Sequence, residues 1–352
     1  MGESPMCSKR PGLLERLKTG PVICAEGYVF ELERRGYVQA GTFVPEVVVK
    51  HPEAVIQLHR EFLNAGSDIM EALTYYAHRE KLKLIGMEDC IEEINKAALK
   101  LAREVADEGD ALVAGNICNT NVYEPGDKRS EAEVRGMFEE QVQWAVDFGV
   151  DFVIAETFSY YGESKIALDV TRRAKATSVV TLAVHREGLR DGVDPVEACR
   201  RLKDQGADVV GLNCARGPET MWPLMEPIRR AVEGPLAALP VPYRTTPEEP
   251  TFQSLTDGGC SCIPDNRPFP AALDARACNR YEMAEFARRA LDLGYTYQGV
   301  CCGAGPHHIR SMAEALGRKP PASMYLPDMS KHYSFGTDER LRKHNQQYSN
   351  RL

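Results

Sequence analysis

Val150-Asp-Phe-Val-Ile-Ala-Glu-Thr-Phe158 is a nearly unbroken apolar run with one glutamate, Glu156, set inside it. A strand wetted on one face alternates apolar and polar residues. A run that is apolar at both parities is buried on both faces, as strands of a parallel sheet covered by helices are. The segment before it has the capping-box pattern Ser130-Glu-Ala-Glu133 and reads as a helix reaching Phe148; the segment after it, 162–176, reads as another helix.

The same unit recurs in both directions. Short apolar runs at 21–27, 67–77, 111–118, 178–185, 207–214, 235–243 and 295–303 read as strands. Helical spacing occupies about 45–65, 89–107, 194–205 and 279–293, with Gly66 ending the first, Asn279-x-x-Glu282 capping the last, and Pro306 opening one more. The strand at 235–243 is the weakest, because its prolines disfavour a central place in a sheet. Eight strands alternating with helices imply parallel pairing through right-handed crossovers. The fold expected is therefore α/β, a (β/α)8 TIM barrel spanning about 12–320, with 321–352 a short C-terminal tail. A doubly wound sheet split into two domains is the alternative, and no linker-like stretch supports it.

The totals narrow the functional class. The chain has 352 residues and a formal net charge of −8, with both signs interspersed, which argues against a nucleic-acid surface. No stretch approaches the roughly 18 apolar residues of a membrane span. Met1 to Arg10 is polar and lacks the apolar centre of a signal peptide, so a cytoplasmic location is expected. Eleven cysteines, an odd number scattered through the elements, read as reduced thiols or metal ligands rather than disulfides.

On a parallel barrel the C-terminal strand ends share one rim, and chemistry collects there. That rim would carry Glu26, Tyr75 or Tyr76, Glu156, Cys214, Cys301 and Cys302. Three thiolates with one open position make a zinc site suited to a soft substrate atom. Adjacent strand residues point to opposite faces, so Cys301 and Cys302 can share one metal only where the strand breaks, and Gly303-Ala-Gly305 supplies a break. The competing reading makes the cysteines small apolar core residues. A zinc-bound substrate thiol is deprotonated at neutral pH, the carboxylates could hold an ammonium group, and aromatic residues could face a methylated cation. The proline- and glycine-rich stretch 245–269 is a candidate lid; its Cys260-Ser-Cys262 reads as two loop thiols. His307 and His308 read as capping or surface groups rather than ligands.

At Leu32-Glu-Arg-Arg-Gly-Tyr-Val-Gln-Ala-Gly41, 53–66, 105–115, Ile154-Ala-Glu156, Gly211-x-Asn-Cys214, and Cys301-Cys-Gly303 through Ile309-Arg310, the chain resembles the betaine–homocysteine branch of the zinc-dependent homocysteine S-methyltransferases. The resemblance implies zinc on Cys214, Cys301 and Cys302, and methyl transfer from a small onium donor, betaine or a related methylammonium or sulfonium compound, to homocysteine, giving methionine. It places Glu156 on the homocysteine amino group, with Glu26 and Gly27 near it, and Phe43 and Tyr76 on the donor side. Where the family has Asp-Gly-Gly after its first strand, this chain has Ala25-Glu26-Gly27. Phe43 stands for a tryptophan of the betaine enzymes and Thr157 for a tyrosine. The arm through which betaine enzymes oligomerise is expected to be shorter or missing, which leaves a homo-oligomer possible but unassigned. Two other readings stand beside this one: a non-catalytic barrel that binds zinc and a thiol metabolite, and a methyltransferase with a different thiol acceptor.

Overall fold

β4 (Phe152–Phe158) is flanked by β3 (Leu112–Cys118) and β5 (Ser178–Leu182), both parallel to it. The pairing continues through β6 (Val209–Asn213), β7 (Leu236–Leu239), β8 (Tyr297–Val300), β1 (Val22–Ala25) and β2 (Ile69–Glu71) back to β3. The computed structural model describes residues 10–259 and 261–343. Its eight parallel strands close into a barrel in sequence order, the (β/α)8 architecture expected from the alternation.

Side-chain parity explains the closure. Residues of one parity, among them Val22 and Cys24 of β1, Leu112 and Ala114 of β3, Phe152 and Ile154 of β4, and Ala237 and Leu239 of β7, pack together in the barrel interior. Leu13 and Leu17 of the helix Leu13–Thr19 pack with this cluster. Residues of the other parity, such as Ile23, Met70, Val113, Val153 and Val210, join the layer between strands and helices. Both faces of each strand are thus dry, which is why the runs read as continuously apolar.

The strands differ from the sequence reading mainly at their ends. β2 stops at Glu71, where 67–77 was expected; the Thr74 amide donates to the Ala72 carbonyl at 2.7 Å and turns the chain out of the sheet. β7 is fully central, paired with both β6 and β8, because Pro235 precedes it and Pro240 and Pro242 follow it. The helix expected over 45–65 is two, Val47–Lys50 and Pro52–Ala65, since Pro52 drives His51 out of helical geometry (φ −141°, ψ 59°). The helix Lys128–Phe148 is capped by Asp127, whose side chain accepts from Arg129 N and Ser130 N, rather than by Ser130. The capping box at Asn279 and Glu282 and the proline at the first position of Pro306–Ala315 are as expected. Cys260 lies outside the described residues. Cys262 is disulfide-bonded, contrary to the expectation of reduced thiols; it is exposed on a surface loop, where burial does not shield it from pairing.

Candidate active site

The inward parity that gives apolar layers lower in the barrel gives polar ones at its C-terminal mouth. Two residues beyond Cys24 stands Glu26; two beyond Ile69, Glu71; two beyond Ala114, Asn116; two beyond Ile154, Glu156. All four are buried. Ala25 has outward parity and packs in the strand–helix layer, so an acid at 26, not at 25, is the one this strand aims into the barrel.

Asn213, the last residue of β6, ties the mouth together. Its Nδ2 donates to Glu156 Oε2 at 2.7 Å, to Thr157 Oγ1 at 2.9 Å and to Glu26 Oε2 at 3.2 Å, while its Oδ1 accepts from Thr157 N at 2.9 Å. Asn116 Nδ2 donates to Glu156 Oε1 at 2.6 Å and also to Glu71 Oε1. Glu26 Oε1 and Asn116 Oδ1 have no hydrogen-bond partner among the described residues. Burial, then the neighbouring carboxylates, pushes Glu26 and Glu71 well above the ordinary range; burial also raises Glu156. Three carboxyl groups share this dry bowl, and the cavity around it is lined by no lysine and a single arginine, Arg190, so it favours an incoming cation.

The cysteines lie beside the bowl. Cys214 follows Asn213 directly and has φ +56°, as does Ala215, so the chain leaves β6 through a strained turn that redirects the sulfur. After β8 the chain breaks similarly: Gly303 has φ +93°, and a Cβ there would fall 2.2 Å from the Tyr243 hydroxyl. Cys214 Sγ is 3.6 Å from Cys302 Sγ, and Cys301 Sγ is 3.8 Å from Cys302 Sγ. The three sulfurs all lie within 4.8 Å of one another. Thiolates at about 2.3 Å on a tetrahedral ion stand about 3.8 Å apart, so the cluster has the dimensions of a three-sulfur metal site. Hydrogen bonding from Cys301 and Cys302 holds the Cys214 thiol well below its usual range; burial raises Cys301, and the hydrogen bond toward Cys214 raises Cys302.

A cavity of about 450 Å³ opens above these groups. Among the described residues, six of the nine non-glycine residues with positive φ line it: Phe43, Tyr76, Asn121, Thr157, Cys214 and Ala215. Such conformations cost about 1–3 kcal/mol each and collect where function holds the backbone. At Thr157 the strain coincides with a register slip between Ala155 and Phe158 at the end of β4.

The residues expected from sequence fall into three groups. Glu26, Glu156, Cys214, Cys301 and Cys302 come together as anticipated, and Phe43 and Tyr76 line the cavity with them. Phe43 stacks on Phe30 at 5.3 Å between ring centres. Tyr76 is crowded: Lys81 Nζ lies 4.0 Å from its ring centre and Tyr75 packs at 4.3 Å. Gly27 does not line the cavity; a Cβ there would meet the Ala304 carbonyl oxygen at 2.6 Å, so its place is to let β1 approach the turn after Cys302. From the 245–269 stretch, Phe252, Gln253 and Phe269 line the cavity, Phe252 and Phe269 packing against Phe30. His308 Nδ1 accepts from Gly305 N at 3.1 Å, a helix cap as expected. Sequence reasoning missed Glu71, which ends β2 inside the run that reads as a single strand over 67–77. Of the two tyrosines the sequence offers for the rim, Tyr75 and Tyr76, both line the cavity.

The chain is similar to known proteins over most of its length. A family model described as homocysteine S-methyltransferase matches residues 23–316. The betaine–homocysteine S-methyltransferase 1 of Danio rerio is 41% identical over 338 residues, covering 95% of this chain and 82% of that protein. The S-methylmethionine–homocysteine S-methyltransferase of Pongo abelii is 39% identical over 330 residues, covering 93% of this chain and 86% of its own. Among solved structures, the metallated form of the homocysteine methyltransferase MmuM of Escherichia coli superposes with a TM-score of 0.66 at 18% identity, over 85% of this chain and 98% of that one, a likeness of fold.

Proposed function

The chain belongs to the homocysteine S-methyltransferase family, and we propose that it transfers a methyl group from a small onium donor to the thiol of homocysteine, giving methionine, with zinc on Cys214, Cys301 and Cys302. The observation that carries the reading is the adjacency of two features: a three-sulfur cluster of metal-site dimensions and, one residue away through Asn213, a buried carboxylate bowl. An aminothiol has a group for each. Bound there, zinc supplies the Lewis acidity that keeps a fourth, substrate thiol in its thiolate form.

The chain's own residues do the rest by positioning. Glu156 and Glu26, bridged by Asn213 Nδ2, receive the substrate ammonium, and the unpartnered Glu26 Oε1 is free to accept a hydrogen bond from it. Phe30, Phe43, Phe252 and Phe269 make the apolar wall beside the sulfurs and exclude water from the reacting atoms. Tyr75, packed on Tyr76 in the cavity wall, presents an aromatic surface to the onium methyl. In the transfer the sulfur–methyl bond forms as the donor's carbon–nitrogen or carbon–sulfur bond breaks, and the leaving amine or thioether departs neutral with the bonding pair. No proton moves in that step, so alignment matters more than acid–base help.

Among the described residues no helix is long and apolar enough to cross a membrane. Incubation of zinc-loaded protein with homocysteine and either betaine or S-methylmethionine tests the proposal. Loss of free thiol with formation of methionine from at least one donor is expected; an unchanged thiol with both would refute it.

A further inference from the structure

The cavity above the cysteines is strongly biased in charge. Five glutamates line it, Glu26, Glu71, Glu124, Glu156 and Glu163, against one guanidinium, Arg190, and no lysine. The other arginines near the mouth are committed. Arg34 bonds Glu31 and the Tyr243 hydroxyl, and Arg216 donates to the Val184 and His185 carbonyls. Arg190 has no ion pair or side-chain hydrogen bond among the described residues.

Its backbone, by contrast, is held firmly. Leu189 before it is buried in the core. The Arg190 amide donates to the Ser159 carbonyl at 2.8 Å, and Ser159 Oγ meets His185 Nε2 at 2.8 Å, so the loop after β5 is docked on the loop that follows Glu156. Asp191 after it accepts from Gly162 N at 2.9 Å at the start of the helix Tyr161–Arg173. Arg190 is exposed at the cavity wall, so its pinned backbone holds a guanidinium with open donors where an entering anion can reach them, the one cationic side chain among the lining glutamates.

We propose that Arg190 is the anion-recognising residue of this cavity and pairs with the carboxylate of a zwitterionic substrate, so that cationic ends sit at the glutamate bowl and the carboxylate end at the loop after β5. The inference rests on the methyltransferase reading and deepens it: it makes the carboxylate, not only the onium or thiol, part of what is recognised. A guanidinium suits a carboxylate because its donors match both oxygens in one plane. The carboxylate could belong to the methyl donor or to the aminothiol acceptor, and the test separates the two.

The zinc-loaded native protein, R190Q and R190K are compared with two matched pairs. For the donor, dimethylsulfonioacetate is set against trimethylsulfonium, which lacks the carboxylate. For the acceptor, homocysteine is set against 3-aminopropane-1-thiol, which lacks it too. The native protein should prefer the carboxylate-bearing member of at least one pair by about 10–100-fold in kcat/KM, the scale of one charge-assisted contact. In R190Q that preference should collapse, mainly through KM, with the carboxylate-free member changed less than about threefold; R190K should restore part of it. The pair that loses its preference identifies which substrate Arg190 reads. A full preference in both pairs in R190Q, no preference in the native protein, or an equal loss with both members of each pair would overturn the assignment. Absence of transfer by the native protein from either sulfonium donor to either thiol would instead overturn the methyltransferase reading, and the role of Arg190 with it.

Discussion

Asn213 Nδ2 stands 2.7 Å from Glu156 Oε2, although 57 residues separate them in sequence, and the next residue, Cys214, places its sulfur 3.6 Å from Cys302. One strand end therefore fixes the cysteine cluster and the carboxylate bowl relative to each other, the two groups to which the proposal gives sulfur ligation and ammonium recognition.

Asn213→Ala should separate the two roles. The cysteines keep their backbone positions, so metal content should persist, while Glu156 loses a hydrogen bond that costs about 1.5–3 kcal/mol to break when one partner is charged. KM for homocysteine should rise by about 10–100-fold, with a smaller effect for an acceptor thiol that lacks an amine. Steady-state kinetics with the two thiols, beside metal analysis, checks it.

Cys302→Ser should lose metal and activity together. A serine hydroxyl is a poor substitute for a thiolate at a zinc site, and Cys302 is the sulfur recorded close to both others, at 3.6 Å from Cys214 and 3.8 Å from Cys301. Metal analysis of the purified variant is sufficient; a full complement of zinc would remove Cys302 from the ligand set.

Glu71→Gln should stabilise the metal-free, substrate-free protein at alkaline pH. Burial, reinforced by Glu156 and Glu26, raises the Glu71 pKa above its unfolded value. A raised carboxyl contributes stability that is fully present below the unfolded pKa and is lost as pH rises through the folded one. The amide cannot ionise, and its oxygen can still accept from Asn116. The variant should therefore melt higher than the native protein at about pH 8, with the gap closing at about pH 4. Thermal melts across that range check the sign.

Gly303→Ala should damage the cysteine site through the backbone. The residue has φ +93° and the added methyl would meet the Tyr243 ring and hydroxyl, the latter at 2.2 Å. A loss of about 1–3 kcal/mol in stability is expected from the clash and strain, with weakened metal retention. Denaturant unfolding and metal retention against a chelator measure the two effects.

Much of this was legible in the sequence, for stated physical reasons. Strands buried on both faces lose their alternation, so Val150–Phe158 and its counterparts stood out, and a carboxylate such as Glu156 was conspicuous within one. The break needed to bring Cys301 and Cys302 to one point was visible in Gly303. What was not legible depends on where strands stop. Glu71 was hidden because the run to Ala77 reads as one strand, although the chain turns out at Ala72. That turn also brings both Tyr75 and Tyr76 to the cavity, Tyr76 with φ +61° and against Lys81. Arg190 had no sequence signal at all, because a lone arginine in a loop becomes unusual only once the five glutamates around the cavity are known.

The most direct test of the central claim counts sulfur around the metal. X-ray absorption on the reduced, zinc-loaded protein should give three sulfur ligands from Cys214, Cys301 and Cys302, rising to four when homocysteine is added. Absence of bound zinc, or a sulfur count that homocysteine leaves unchanged, would contradict the account.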